Sequence, residues 1–181
     1  GQKKLSSLEL VKSCLNRIKK INYKINAIVA LDESIAIKQA KEADKKTLKG
    51  EKLNLLHGIP VGIKDLNMVK NLRSTSGSLL NKDHIPSLDD EIVKNIRNEG
   101  GIIFCKTNTP EYGTGGNTTN KVYGTTMNPF DLKKSAAGSS GGSAAALSCD
   151  MLTMANGSDY GGSLRTPASF CAVTGFRPSP G

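Results

Sequence analysis

The sequence predicts an α/β fold built on a largely parallel sheet. Three observations lead there. Two short apolar runs, "VGIK" and "GIIFCK", each end on a lysine; a helical stretch lies between them; and fourteen of the nineteen glycines fall at or after residue 100. Strand, helix and strand in that order form a crossover unit, whose helix returns the chain to the end of the sheet where the first strand began, making the two strands parallel. The glycines then mark the second half as the part with tight turns and close backbone approaches.

Each element has a local reason. Ser6 and Glu9 have the spacing of a capping box, and Leu8, Val11, Leu15, Ile18 and Ile21 follow at intervals of three and four, which predicts an amphipathic helix. Residues 34–46 predict a second helix, rich in Ala and Lys and poor in large apolar anchors, hence a surface helix. In "LHGIPVGIKD" Gly58 and Pro60 punctuate the chain and Val61 to Ile63 form a buried strand ending at Lys64. Residues 89–98 predict a helix with acids at its N-terminus and the Gly100-Gly101 pair at its C-terminus. "GIIFCKTN" predicts the second strand. No repeat or Pro/Ser linker divides the chain, so one domain is expected over residues 1–181, with a helical lead-in to about residue 50.

Composition narrows the function classes. Hydrophobic residues are 37% and aromatics 4%, with no Trp, which suits an ordered α/β chain rather than a disordered one. No run approaches the roughly 18 apolar residues that cross a bilayer, and the N-terminus lacks the charged-then-apolar pattern of a signal peptide. A soluble cytoplasmic protein is expected. The formal charge is +9, yet sixteen of the twenty lysines precede residue 100 and are mixed there with twelve of the sixteen acids. That pattern fits solvated helix faces, and direct nucleic-acid binding is not expected. Cys14, Cys105, Cys149 and Cys171 form no CxxC pair, so reduced, buried thiols are expected and neither a disulfide framework nor a metal site.

The chemistry must come from serines. Eight lie between residues 135 and 169, several beside glycines. A phosphate cradle fails in detail, because neither GxxxxGK[ST] nor a GxGxxG between strand and helix is present. Gly138, Ser140 and Gly142 satisfy GxSxG, the nucleophile elbow of another hydrolase fold, but that fold needs a histidine after the serine. The two histidines, His57 and His84, are both upstream, so this elbow would require a histidine beyond residue 181. A serine nucleophile without histidine can use a lysine whose amine is neutral, and burial favours the neutral form. Lys64 and Lys106 qualify, each ending an apolar run; an ordinary ion pair at a sheet edge is the alternative for either.

The stretches "GIPVGIKD", "GSSGGSAAAL" and "GSDYGGSLRTPASFCAVTGFRPSPG" resemble the successive motifs of the amidase signature family, and "KTNTPEYGTGGNTTNKVYGTTMNPFD" resembles its connecting segment. The resemblance runs from about residue 56 to the C-terminus and extends more weakly over the N-terminal helices. It implies a large mixed β-sheet between helical layers and hydrolysis of an amide through a Ser, cis-Ser, Lys triad. Carried over to this sequence, Ser163 would be the nucleophile, Ser139 the serine with a cis peptide bond that bridges to the base, and Lys64 the base. Ser140 would support the turn. The N–H groups of Tyr160, Gly161, Gly162 and Ser163 would face the oxyanion that develops on the attacked carbonyl. Gly113, Thr114 and Gly115 resemble the loop lining the acyl pocket. Asp159 and Arg165 either pair to brace the nucleophile's loop or leave the arginine at the surface. Two positions depart from the family pattern: Ala137, where glycine is usual, and Tyr160, where a smaller residue is common.

The resemblance implies no metal or organic cofactor, a small-molecule amide substrate, and no membrane partner. Self-association as a homodimer is one expectation. The alternative is the glutamine-hydrolysing subunit of a tRNA-dependent aspartyl/glutamyl amidotransferase, with that enzyme's other subunits as partners. Phe176, Arg177, Pro178 and Ser179 resemble stand-alone amidases more than that glutamine-hydrolysing subunit, where Leu-Lys-Pro-Thr is commoner. A non-catalytic scaffold is the third reading. Because the family is usually more than twice this length, the chain is expected to be an N-terminal portion, poorly soluble or inactive alone; a stable, active preparation of 181 residues would contradict that.

Overall fold

A computed structural model describes residues 5–179. The first four residues, and Pro180 and Gly181 at the end of the last quoted motif, lie outside the described residues. Helix α1, Ser7–Ile25, carries the expected capping box: Glu9 N–H donates to Ser6 Oγ at 3.1 Å and Ser6 N–H donates to Glu9 Oε2 at 2.9 Å. It buries Val11, Cys14, Leu15, Ile18 and Ile25 and stops at Asn26, whose φ of 55° turns the chain out of the helix. Strand β1, Ile28–Leu31, follows, and α2, Glu33–Leu48, starts at an Asp32 cap and buries the small residues Ala36, Ala40 and Ala43. β2 is Pro60–Lys64, α3 is Glu91–Asn98 and β3 is Ile102–Thr107, both strands buried along their whole length. Beyond them come a two-residue hairpin, β4 Thr119–Asn120 and β5 Gly124–Thr125, then α4 Gly141–Ser148, β6 Met154–Ala155 and α5 Arg165–Phe170.

The crossover unit is present: β2 and β3 pair in parallel, with α3 between them in the chain. The sheet order is β1-β3-β2-β6, with β6 parallel to β2 and β1 antiparallel to β3. The sheet is therefore mixed rather than parallel throughout. The strand responsible, β1, was not anticipated from the sequence. α3 also begins two residues later than expected, because its acids face backwards. Asp89 accepts from Lys70 N–H at 2.7 Å and from Arg97 at 2.9 Å, and Asp90 accepts from Met68 N–H at 2.9 Å, tying the chain after β2 to the helix.

Helices cover both faces. Residues of α1, α2 and α4 pack with Phe104 and Cys105 on one side; Val93 of α3 packs with Val61, Ile63, Val69 and Ile103 on the other. One irregularity decides which lysine faces which side. Val61 stands opposite Ile103 but Gly62 stands opposite Cys105, so Phe104 is an extra residue on β3. Side chains alternate along a strand, so one extra residue reverses the phase of everything after it. Without it Lys64 would stand opposite Lys106, both ammonium groups on one face. With it Lys106 stands opposite Ile63, and Lys64 opposite Thr107. The two lysines leave the sheet on opposite sides.

All four cysteines are buried and free. Among the described residues no helix is long and apolar enough to cross a membrane. The start of α4 sits directly on the end of β3: a Cβ on Gly142 would press into the backbone of Asn108, including its N atom and, at 2.6 Å, its carbonyl oxygen. Alanine would gain up to about 1 kcal/mol of helix propensity, but overpacking against backbone costs about 1–3 kcal/mol. Gly142→Ala is therefore expected to lower the thermal midpoint by several degrees. A raised or unchanged midpoint would contradict this contact.

Candidate active site

Lys64 is the last residue of β2 and is fully buried. Among the described residues its Nζ reaches three hydroxyls and no carboxylate: Ser139 Oγ at 2.7 Å, Ser158 Oγ at 2.8 Å and Ser140 Oγ at 2.9 Å. Burial disfavours the ammonium form, and hydroxyls return little of the lost hydration. The lysine is pushed from its ordinary value down to about 7, with Asp159 pulling the other way. A hydroxyl can accept from an ammonium and donate to an amine, so Lys64 can lose its proton without losing its partners. The arrangement can move a proton near neutral pH.

The hydroxyls come from a turn held on several sides. The Gly138-Ser139 peptide is cis, and Ser139 and Ser140 are buried at the start of α4. Thr118 fixes the turn by donating from both N–H and Oγ1 to the Ala137 carbonyl, at 3.0 and 2.8 Å, while Gly141 N–H donates to Thr118 Oγ1 at 3.0 Å. Ala137, the first departure from the family pattern, has a φ of 58°, the left-handed region where glycine is more at ease. Ser140 does more than support the turn. Besides meeting Lys64, its N–H donates to the Ser163 carbonyl at 2.9 Å, and Ser158 N–H donates to its Oγ at 3.2 Å. This backbone bond is how Ser163 joins the cluster. Its hydroxyl makes no hydrogen bond with Ser139, whose partner among the described residues is Lys64.

The loop before Ser163 is organised by Asp159. Its buried carboxylate accepts from Gly162, Leu164 and Arg165 N–H groups at 2.7, 3.2 and 3.2 Å and takes a two-pronged contact from Arg165 at 2.9 and 3.1 Å. The Arg165 contact, with these N–H groups, holds Asp159 well below the usual carboxylate range. The pairing alternative for Arg165 is the observed one, and Arg177 adds a bond to the Asp159 carbonyl at 3.0 Å. The Gly162 donor is thereby used, which departs from the four-donor expectation. Among the described residues the N–H groups of Tyr160, Gly161 and Ser163 have no acceptor. The Tyr160 ring is fully exposed.

Thr114 and Gly115 line a polar hollow of about 480 Å³ with Glu111, Asn117, Asn120 and Lys121. Its wall touches the serine turn, since a Cβ on Gly138 would lie 2.8 Å from the Gly115 carbonyl oxygen. Gly113 faces Leu66 instead. A second, more apolar cleft of about 300 Å³ opens beside Ser140 between α4, β6 and α5. Lys106, the other candidate base, forms an ion pair with Asp65 at 3.0 Å, buried in a central strand and not at a sheet edge. Sequence reasoning missed two residues. Ser158, just before Asp159, contacts Lys64, and Asn156 Oδ1 accepts from the Lys64 N–H at 2.6 Å. Ser158 was legible as one more serine in the Gly-Ser-Asp run; Asn156 gave no signal.

Comparison with known proteins points one way. The Amidase family model matches residues 9–181. A glutamyl-tRNA(Gln) amidotransferase subunit of Thermoanaerobacter pseudethanolicus is 43% identical over 180 residues, covering 99% of this chain and 37% of the relative. A bacterial aryl acylamidase of the amidase signature family superposes with a TM-score of 0.85 at 33% identity, covering 92% of this chain and 35% of that one. The crystal structure of a glutamyl-tRNA(Gln) amidotransferase subunit from Thermotoga maritima gives 0.77 at 32% identity, covering 93% and 37%. The chain thus spans just over a third of the length of these proteins.

If Asp159 organises the loop, Asp159→Ala leaves three N–H groups without their acceptor. A hydrogen bond to a charged group is worth about 1.5–3 kcal/mol, tenfold or more in a local equilibrium. The amides of Gly162, Leu164 and Arg165 should exchange with solvent deuterium at least tenfold faster, with those of β3 unchanged. Equal exchange in wild type and variant would contradict the assignment.

Proposed function

The chain belongs to the amidase family, and from that premise we propose that it hydrolyses a carboxamide C–N bond, with Ser163 as nucleophile, Ser139 as proton relay and Lys64 as base. One observation carries the reading: a fully buried lysine, lowered to about 7, bonded at 2.7 Å to the hydroxyl of the cis-linked Ser139.

The cycle runs in two halves. With Lys64 neutral, Ser163 Oγ attacks the carbonyl carbon as its proton passes through Ser139 to Nζ. The N–H groups of Tyr160, Gly161 and Ser163 meet the developing oxyanion; removing one such donor typically costs about 3 kcal/mol of transition-state stabilisation. The proton then returns through Ser139 to the nitrogen, the C–N bond breaks and the amine leaves, with the acyl group held as an ester on Ser163. Water repeats the path: it gives its proton to Lys64 through Ser139, attacks the ester, and the acid departs as Ser163 recovers its proton. Each step is carried by side chains and water.

A second reading specifies the substrate. The relative from Thermoanaerobacter pseudethanolicus, 43% identical, belongs to a glutamyl-tRNA(Gln) amidotransferase, which favours glutamine as the amide and transfer of the released ammonia to a charged tRNA by partner subunits. Glutaminase activity that rises only when charged tRNA and the partner subunits are added supports this second reading; hydrolysis of simple amides at full rate without them supports a stand-alone amidase.

The test of the shared mechanism is a fluorophosphonate probe followed by mass spectrometry. Ser163 should carry the label, and Lys64→Ala should slow labelling on the order of a thousandfold, within the range for loss of a general base. Ser163→Ala should abolish it. Lys64 is protonated below its lowered value, so the wild-type rate should fall about tenfold per pH unit below about 7 and level off above it. Labelling at another residue, or a rate that stays flat down to pH 5, would contradict the proposal.

A further inference from the structure

Lys106 is left over by that mechanism, yet it is as deeply buried as Lys64 and fully bonded. Its Nζ donates to the Asn67 carbonyl at 2.5 Å and Ser74 Oγ at 2.8 Å and pairs with Asp65 Oδ1 at 3.0 Å. Asp65 in turn accepts from Thr75 N–H at 3.1 and 3.2 Å and from Thr75 Oγ1 at 2.7 Å. The pair thus fastens the chain that follows β2, residues 65–75, against β3. Asp65 is also the residue next to Lys64.

The chain of contacts continues to Lys64 itself. Asn67, whose carbonyl Lys106 holds, accepts through Oδ1 from Asn156 Nδ2 at 2.9 Å. Asn156 Oδ1 accepts from the Lys64 N–H at 2.6 Å, and Asn156 N–H donates to the Gly62 carbonyl at 3.0 Å. β6 pairs with β2 only at Val61 and Gly62. Past Ala155 the strand ends, and a side chain supplies the acceptor that a longer β6 would have offered. The backbone of Lys64 is therefore held at its far edge by Asn156, which the ion pair steadies through Asn67.

We propose that the buried Asp65–Lys106 pair, acting through Asn67 and Asn156, is a positioning device that fixes Lys64 against its three hydroxyls. The inference rests on the reading of Lys64 as base and Ser163 as nucleophile. It assigns no proton transfer to Lys106. Burial lowers Lys106 from its ordinary value, while Asp65, bonded to it, and Asp90, farther off, pull the other way. Asp159 is the charged group that Lys64 senses. Removing one member of a buried pair leaves an uncompensated charge, so the informative variant removes both.

The experiment measures fluorophosphonate labelling of Ser163 in the purified protein, separating the maximal rate constant from the half-saturating probe concentration. Three variants are compared with wild type: Asn156→Leu, the pair Asp65→Asn with Lys106→Met, and all three changes together. Asn156→Leu, and separately the pair, should each slow the maximal rate at least tenfold with half-saturation within about threefold. The combined variant should be no more than about threefold slower than the worse of its components, because one chain of contacts is broken only once. A defect confined to folding lowers the fraction of chains labelled and not the rate of those that label. Asn156 is half-buried and uncharged, so its substitution stands as a test even where the pair variant fails to fold. A wild-type maximal rate in folded Asn156→Leu, or losses that multiply in the combined variant, would overturn the proposal. A wild-type protein that does not label Ser163 removes its premise instead.

Discussion

Burying a lysine without a carboxylate is the constraint on which this site depends. Two adjacent strands, β2 and β3, each carry a fully buried lysine, Lys64 as the last residue of β2 and Lys106 as the last but one of β3, and the protein treats them in opposite ways. Lys106 receives Asp65 at 3.0 Å. Lys64 receives three serine hydroxyls, so desolvation lowers it to about 7. The carboxylate that influences it, Asp159, is itself bound to Arg165. The partners, and not the burial, separate the two: Lys64 has only hydroxyls around its amine, whereas Lys106 has a carboxylate that opposes the effect of burial.

That division depends on a single extra residue in β3. Phe104 shifts the register so that Lys64 turns toward α4 and the serine turn, while Lys106 turns toward residues 65–75. Strand alternation would otherwise put both cations on one face, where like charges would lower both and where one serine turn could not serve both. The short helix α4, with Gly142 against Asn108, then brings Ser139 and Ser140 to the end of β2. β6, only two residues long, delivers Asn156 and Ser158 to the other side of Lys64.

Much of this frame was legible in the sequence, for identifiable reasons. The capping box at Ser6 and Glu9, the three-and-four spacing of α1, and the two apolar runs ending in lysine are local signals, and the crossover unit follows from their order. β1 was missed although Ala27 to Leu31 is an apolar run between Asn26 and Asp32; so short a run reads as the tail of the preceding helix until Asn26 is seen to turn left-handed. β6 is a strand because Val61 and Gly62 lie beside it, a long-range fact with no local trace. Within the site, Lys64, Ser139 and Ser163 were named through a family resemblance, while the residues alone left Lys64 and Lys106 undecided. Only the register of β3 separates them. Asn156 was illegible for the same reason as β6, since its task is defined by the strand end it completes. The acids before α3 misled because they bond backwards to residues 67–70 instead of capping the helix.

Family membership and the geometry at Lys64 meet at one physical claim: the buried amine is neutral for part of the time near pH 7 and can therefore act on a serine hydroxyl. A nitrogen-15 NMR titration of the Lys64 side chain, assigned by comparison with Lys64→Met, measures that state without any substrate. The account predicts a midpoint at about 7. A midpoint near the ordinary lysine value of 10.5 would contradict it, because the amine would then stay protonated at every pH where the proposed attack by Ser163 has to begin.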